Sequence, residues 1–506
     1  MSATAPGEEY QPVRYSSLRK PKLPGFSFLT TFQVIFLSVA VFASLMVMML
    51  WDIIPAVILT VLWLIAFTPW VLGSLLGANP YALVSDRLAF ARTKATGETQ
   101  LVQGLVGITP DGRTRLPGLL AASELFECRD AFGMPFGMIV TSNPRTATVV
   151  IECAPPGVSG VDMATVDDAA AQWGDWLAAL SREPELLGAQ VVIESAPDTG
   201  NRLRAAAMAG VREDSPELSR AVLEEVVDAA PTAAAQITSR VALTFSGRAE
   251  GKKKAATPEA MAEDIGTRLP ALVDALRATG AGSACRPMSS QDITDAVRTA
   301  FDPAAASDVE RLRAEGQGTG LDWEDAGPVH QEVHYDRLVH DGATSVSWTM
   351  SKAPRGTFTT LSLARLLAPA PKVARKRVAL LYRPQTLAMS AMLADTRLRQ
   401  ASFEARQSTK VRSLRREQEM KAAELNAEAE AAGAPFVKVG LAVTATVLDP
   451  AELRTAKRTV QDLGAAARIT LRPAAGVQDS MFTATLPLGL VLHEHVSLPA
   501  FVREGL

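Results

Sequence analysis

Cysteine is nearly absent: Cys128, Cys153 and Cys285 are the only three in a chain of 506 residues. They are scattered, no CxxC occurs, and an odd count argues against a disulfide framework, so they read as reduced, buried thiols. An excess of one charge is lacking too. The net charge of −3 leaves no basic footprint, so no direct nucleic-acid partner is expected. Nucleotide-splitting equipment is missing as well. The nearest approach to a P-loop, Gly247-Arg-Ala-Glu-Gly251-Lys252-Lys253, has the wrong spacing and lacks the Ser or Thr that would hold magnesium. No GxGxxG follows a strand, and no GxSxG elbow is present. Histidine is sparse, with five residues. His330-Gln-Glu332-Val-His334 has two His at i, i+4, but its glutamate does not follow the first His directly, as HExxH zinc chemistry requires. A third ligand would have to be His340 or Asp336. Asp322-Trp323-Glu324-Asp325 reads as an exposed acidic loop, and His493 and His495 as neighbours on one side of a strand. No catalytic residue, cofactor or metal is assigned.

What is present in abundance is apolar residues near the N-terminus. From Gly25 to about Leu50, and again from Ile53 to about Leu76, no charged side chain occurs; only Trp51-Asp52 separates the runs. About 20 apolar residues cross the hydrocarbon layer of a bilayer, so the two runs predict a transmembrane helical hairpin. Arg14, Arg19, Lys20 and Lys22 precede it, and Arg87, Arg92 and Lys94 follow it. Positive charge stays inside, which places both termini in the cytoplasm and the chain as a multi-pass protein of the inner (cytoplasmic) membrane. A signal peptide fits poorly, because the run is too long and a second follows at once.

The expected fold class is therefore a membrane-anchored α+β protein: an N-terminal transmembrane hairpin, then a mixed sheet-and-helix cytoplasmic body with a long protruding charged helix. The expected division is a cytoplasmic tail at 1–24, the hairpin at 25–77, a connector at 78–145 and an α+β domain at 146–303. A second α+β portion at 304–393 follows, then the long charged helix at 394–433 and a β-α-β unit at 434–506. Within the body, Thr146–Cys153, Ala189–Ser195 and Gln236–Phe245 read as strands. Asp162–Leu180, Arg202–Val211, Pro216–Ala229, Pro258–Thr279 and Ser290–Phe301 read as helices, the last capped by Ser289 or Ser290. This order predicts helices covering one face of a sheet. Further strands are expected at Ser345–Met350, Lys376–Tyr382, Val437–Leu448 and Arg468–Arg472, with an Asp449-capped helix at Pro450–Ala467.

From Ala394 to Ala432 the sequence holds no Gly or Pro and few large apolar residues, which predicts a solvated helix or one arm of a helical hairpin. Its first half is basic and its second acidic. Arg412, Arg415, Arg416, Glu417, Glu419 and Glu424, at the change of sign, are the candidate partner-binding residues. Lys252–Lys254 and the group Lys372, Arg375, Lys376 and Arg377 read as basic surface loops, able to touch anionic headgroups.

Several blocks resemble the actinobacterial membrane-protein family encoded in conjugative, type IV secretion-like loci: Gly112–Leu120, Cys128–Gly133, Trp173–Leu180, Ile265–Pro270, Trp323–Pro328, Arg377–Pro384 and Leu486–Leu492. The body also resembles the N-terminal, non-motor domain of the type IV secretion ATPase, and the two-helix anchor resembles the small inner-membrane subunit of that machine. Gln478, Phe482, Leu486 and Pro487 stand at the offsets that lead into the motor in the ATPase, and no phosphate-binding loop follows them. The resemblance implies a non-catalytic structural subunit of an inner-membrane transfer complex. Its expected partners are a separate secretion ATPase, other membrane subunits, the lipid bilayer and copies of itself. The alternatives are a peripheral membrane component of type VII secretion and a membrane-tethered metal-dependent enzyme using the histidine cluster.

Overall fold

The computed structural model describes residues 15–16, 31–76, 80–107, 111–157, 160–197, 207–208, 210–212, 214–229, 235–248, 256–352, 357–370, 372–406, 414–431 and 433–495. It divides into two compact units, Leu18–Thr99 and the remainder.

The smaller unit contains helices α1 (Thr31–Leu50), α2 (Ile53–Leu76) and α3 (Pro80–Ala95). Ala40 and Ala56 are buried, and Phe36 lies edge-on to Trp63 and stacks on Phe67. Phe42, Met49, Trp51 and Ile54 stay exposed. The expected transmembrane hairpin is corrected here. Among the described residues, no helix is long and apolar enough to cross a membrane. The multi-pass inner-membrane placement expected from it goes with it, as does the membrane-anchored fold class. The reason is that freedom from charge is a weaker condition than a span requires.

The larger unit is an α+β fold built on one extensive antiparallel sheet. Its strands are β2 (Gln100–Val102), β3 (Ser123–Arg129), β4 (Pro135–Ser142), β5 (Arg145–Cys153), β6 (Leu186–Pro197), β7 (Ala235–Ser246) and β8 (Arg286–Pro287). They continue as β9 (His330–Val333), β10 (Leu338–His340), β11 (Ala343–Lys352), β13 (Arg375–Pro384), β14 (Val437–Val447) and β15 (Thr470–Pro473). The short β1 (Tyr15–Ser16) and β12 (Thr357–Phe358) pair only with each other. Nearly every strand foreseen in the sequence is present. Six that were not foreseen are β2 to β4, in what reads as a connector, and β8 to β10, of only two to four residues each.

The sheet order is β2-β9-β10-β11-β14-β13-β6-β7-β5-β4-β3, with β8 on β5 and β15 on β11. From the β6–β13 seam outward the order is a mirror image: β6-β7-β5-β4-β3 on one side, β13-β14-β11-β10-β9 on the other. The helices repeat the pattern. On the first side α4 (Met163–Leu180) precedes β6, α5 (Glu217–Ala229) lies between β6 and β7, and α6 (Pro258–Arg277) and α7 (Ser290–Phe301) flank β8. Helix α8 (Ala306–Ala314) then begins the passage to the second side. There α9 (Ala364–Leu367) precedes β13, and α10 (Leu387–Arg406) and α11 (Leu414–Ala431) lie between β13 and β14. Helices α12 (Leu453–Ala466) and α13 (Gln478–Ala484) flank β15.

Strand alternation sorts side chains onto two faces. Val149, Ile151, Val191, Leu243 and Leu380 face α4 and α6, where Trp176, Leu180, Ile265 and Leu269 complete an apolar core. Val346, Trp348, Val378, Leu441 and Val443 continue that face beneath Leu366 of α9 and Val460 of α12. Helices therefore cover this face in both halves. The opposite face is covered too, contrary to the one-sided layering expected, by α7, α13 and the segment Leu486–Leu490. The long charged helix is in fact two helices, α10 and α11, packed against each other. They form an insertion in the β13–β14 hairpin, which stays paired to its last residues, Pro384↔Val437.

Candidate functional site

The second face carries polar residues at positions where the first carries aliphatic ones. Thr148 and Thr244 share a 2.9 Å hydrogen bond across β5–β7. Ser345 and Thr446 share one of 2.7 Å, and Ser347 and Thr444 one of 2.8 Å, across the corresponding β11–β14 pair. Gln190 donates from Nε2 to the carbonyls of Ala484 and Leu486, and accepts from the Gly489 amide at 2.7 Å. Gln478 accepts from the Ser347 amide at 2.8 Å. Buried polar groups demand such partners, since an unmade hydrogen bond here costs about 1–3 kcal/mol.

At the seam lies a charge cluster. Glu194 of β6 is 8% exposed. Arg240 of β7 reaches its Oε2 at 3.3 Å, and Arg375 of β13 its Oε1 at 3.2 Å. Arg377, 1% exposed, comes within 3.7 Å of Oε1. Three guanidinium groups thus surround one carboxylate. Arg375 also donates to the Thr299 carbonyl at 3.2 Å. Arg377 lies over the Phe482 ring, 4.6 Å from its centroid, but Nε, Nη1 and Nη2 have no hydrogen-bond partner; nor does Arg240 Nε. Burial alone would raise the Glu194 carboxyl, but Arg375, Arg377 and Arg240 outweigh it and hold the group below the usual carboxylate range. Burial pushes Arg377 down to about 10, with Glu194 opposing and the other two arginines reinforcing the drop. With one carboxylate facing three guanidinium groups, the cluster carries a formal excess of two positive charges.

The sequence reads Arg375, Lys376 and Arg377 as basic surface residues, with Lys376 and Arg377 also opening the strand expected at Lys376–Tyr382. That is corrected: all three lie in β13 at the centre of the sheet. Lys376, 1% exposed, points to the other face and donates to the Ala368 carbonyl. Burial lowers its ammonium to about 8. The one local signal is at Glu194, which follows the apolar run Val191–Ile193 within a strand, where a charge is expensive unless another charge meets it.

His340 sits beside this cluster, fully buried. Its Nδ1 donates to the Phe301 carbonyl, so Nε2 is left to accept from Ser345 Oγ at 2.8 Å. Burial lowers its pKa to about 4, and the charge of Arg377 adds to the effect. A histidine depressed below its unfolded value near 6.5 stabilises the fold fully above that pH. The contribution is lost as pH falls from about 6.5 towards 4, at a cost on the order of 3 kcal/mol. Urea unfolding at pH 7.5 and pH 5 checks this: the wild type should weaken at pH 5 by more than His340→Asn does. Equal weakening would show that His340 takes up no extra proton on unfolding.

The histidine motif does not assemble. His330 begins β9, and in extended chain a residue four positions on lies about 13 Å away. His334 instead meets Glu332 at 3.3 Å. His493 and His495 belong to a 3-10 turn, not a strand. Among the described residues no group of three or more His, Cys, Asp or Glu is placed to hold a metal ion, so the metal-dependent enzyme finds no site there. The three cysteines are free, with Cys153 and Cys285 buried.

Of the candidate partner-binding residues, Arg412 lies outside the described residues. Arg415, Arg416, Glu417 and Glu419 are in α11, with side chains outside the description, and Glu424 of α11 is exposed. The Lys252–Lys254 group also lies outside.

The blocks that carry the family resemblance meet in pairs. Gly112–Leu120 docks on Trp323–Pro328: Gln103 ties the Arg115 and Pro328 carbonyls, and the Gly327 amide donates to Thr114 at 2.8 Å. Arg113 bridges Asp322, Glu324 and Asp325, so the acidic run is paired rather than free. Cys128–Gly133 meets Ile265–Pro270 through the Ala131 amide and Gly266 carbonyl. Trp173 of α4 meets Tyr382 of β13. Leu486–Leu492 crosses β5, β7 and β6. These blocks hold the fold together, and reacting groups are not gathered by them. No family model and no curated protein matches the chain.

Proposed function

We propose that the chain is a non-catalytic structural subunit of a conjugative, type IV secretion-like transfer complex, and that the α10–α11 arm docks a separate secretion ATPase. The observation that carries this reading is the arm's place in the fold. The β13–β14 hairpin closes on itself at Pro384↔Val437, so the sheet does not need the helices beyond it. Near the hairpin the arm is anchored: buried Ser390 accepts from the Phe436 amide at 3.0 Å, and Arg397 stacks on Phe436. Leu387 and Met392 of α10 and Leu425 of α11 are exposed apolar residues. A helical pair dispensable to the core and carrying exposed apolar positions has the character of a recognition element.

The closing segment supports the same reading. Gln478, Phe482 and Leu486 are fully buried, so the offsets that resemble the ATPase N-terminal domain are packing positions. This supports reading the likeness to that domain as one of architecture.

Replacement of residues 399–428 by a short Gly-Ser linker tests the proposal. The truncated chain is expected to unfold within a few degrees of the wild type and to bind the ATPase of its own transfer locus at least tenfold more weakly. Full binding by a folded truncated chain would refute docking through the arm.

A further inference from the structure

Three arginines and one glutamate are sealed into the seam, and one of the arginines makes no hydrogen bond. Arg377 has one ring face of its guanidinium against Phe482, while its in-plane donors Nε, Nη1 and Nη2 are unmet and buried. Arg240 Nε is in the same condition. Glu194 cannot serve them all: Oε2 is engaged by Arg240 and Oε1 by Arg375, which leaves Arg377 at 3.7 Å. Other acceptors nearby are already used. The Thr299 carbonyl takes Arg375, the Phe301 carbonyl takes His340, and Ser345 bonds to His340 and Thr446. An uncompensated charge in a protein interior is among the costliest arrangements a fold can hold, and buried cations are found paired.

We propose that the seam is a binding site for one small inorganic anion of chloride size, held by the in-plane donors of Arg377 and by Arg240. The anion supplies the second negative charge that Glu194 alone cannot give. The burial of Arg377 beneath the Phe482 ring favours a small anion. Because β6 and β13 belong to opposite halves of the mirrored sheet, an anion at this point ties the halves together.

The test is thermal unfolding of the full chain at constant ionic strength, with chloride exchanged stepwise for gluconate, which is too bulky for the seam. The wild type is expected to gain several degrees as chloride rises, with saturation, and chloride-35 resonance should broaden in its presence. Arg377→Met, which keeps an apolar side chain over Phe482, should lose both effects. Glu194→Gln makes the seam more positive, and should show a larger chloride-dependent rise than the wild type. Identical unfolding in chloride and gluconate would overturn the proposal. So would an Arg377→Met protein that keeps the saturable response, since the anion would then act elsewhere.

Discussion

Gly489→Ala is expected to destabilise the larger unit by about 3–5 kcal/mol. Gly489 has φ of +61°, and a Cβ there would lie 2.2 Å from Thr244 Oγ1 and 2.6 Å from Thr148 Cγ2. Neither neighbour can yield freely. Thr244 donates to the Gly489 carbonyl at 2.6 Å and shares a hydrogen bond with Thr148. Gln190 accepts from the Gly489 amide. A shift large enough to admit the methyl would break at least one of these buried bonds, adding about 1–3 kcal/mol to the backbone strain. Gly133→Ala separates the two causes. It has a similar φ of +79° but nothing within 4 Å of its Cβ, and should cost only about 1 kcal/mol. Equilibrium urea unfolding of the two variants measures the difference. Equal losses would mean that the Leu486–Leu490 segment moves off the sheet without penalty.

Glu194→Gln should cost about 3–5 kcal/mol in chloride-poor buffer, because it removes the carboxylate paired with Arg240, Arg375 and Arg377 and leaves their charges buried. The amide keeps the volume and one acceptor, so loss of packing contributes little. Arg377→Met is expected to behave in the opposite sense. Deleting an unsatisfied buried cation and filling its place with an apolar chain is neutral or stabilising in comparable cores, by up to about 4 kcal/mol. Urea midpoints of the two variants decide the matter. Were Glu194→Gln neutral, the three arginines would have to be reached by water. Were Arg377→Met as damaging as Glu194→Gln, Arg377 would be making interactions that its geometry does not contain.

Both predictions concern residues whose importance is invisible in one dimension. Gly489 is one glycine among 34, distinguished only by what lies above it once Thr148, Thr244 and Gln190 are brought together from three strands. Arg377 follows Lys376 and Arg375, and three basic residues in a row have every mark of a solvated loop. The strand expected at Lys376–Tyr382 is present within β13, but nothing local says that its basic residues are buried.

The N-terminal helices show the opposite failure. There the local signal is strong and was read too far: long uncharged runs predict apolar helices, and α1 and α2 form close to where they were expected. Freedom from charge is a weaker condition than the length and apolarity that crossing a bilayer requires.

What the amino-acid sequence determined by itself is local. Alternation at period two and periodicity at 3.6 set most of the strands and helices from Thr146 to Arg472, and Ser289 caps α7 as its position predicts. The absence of a phosphate-binding loop was equally legible, because that chemistry needs contiguous residues. Tertiary structure alone decided the mirrored order about β6 and β13, the use of both sheet faces and the meeting of Glu194 with three arginines. Those are pairings between residues tens to hundreds of positions apart. Their energies come from desolvation and contact in the folded interior, where a charge or a missing Cβ acquires a cost that it does not have along the chain.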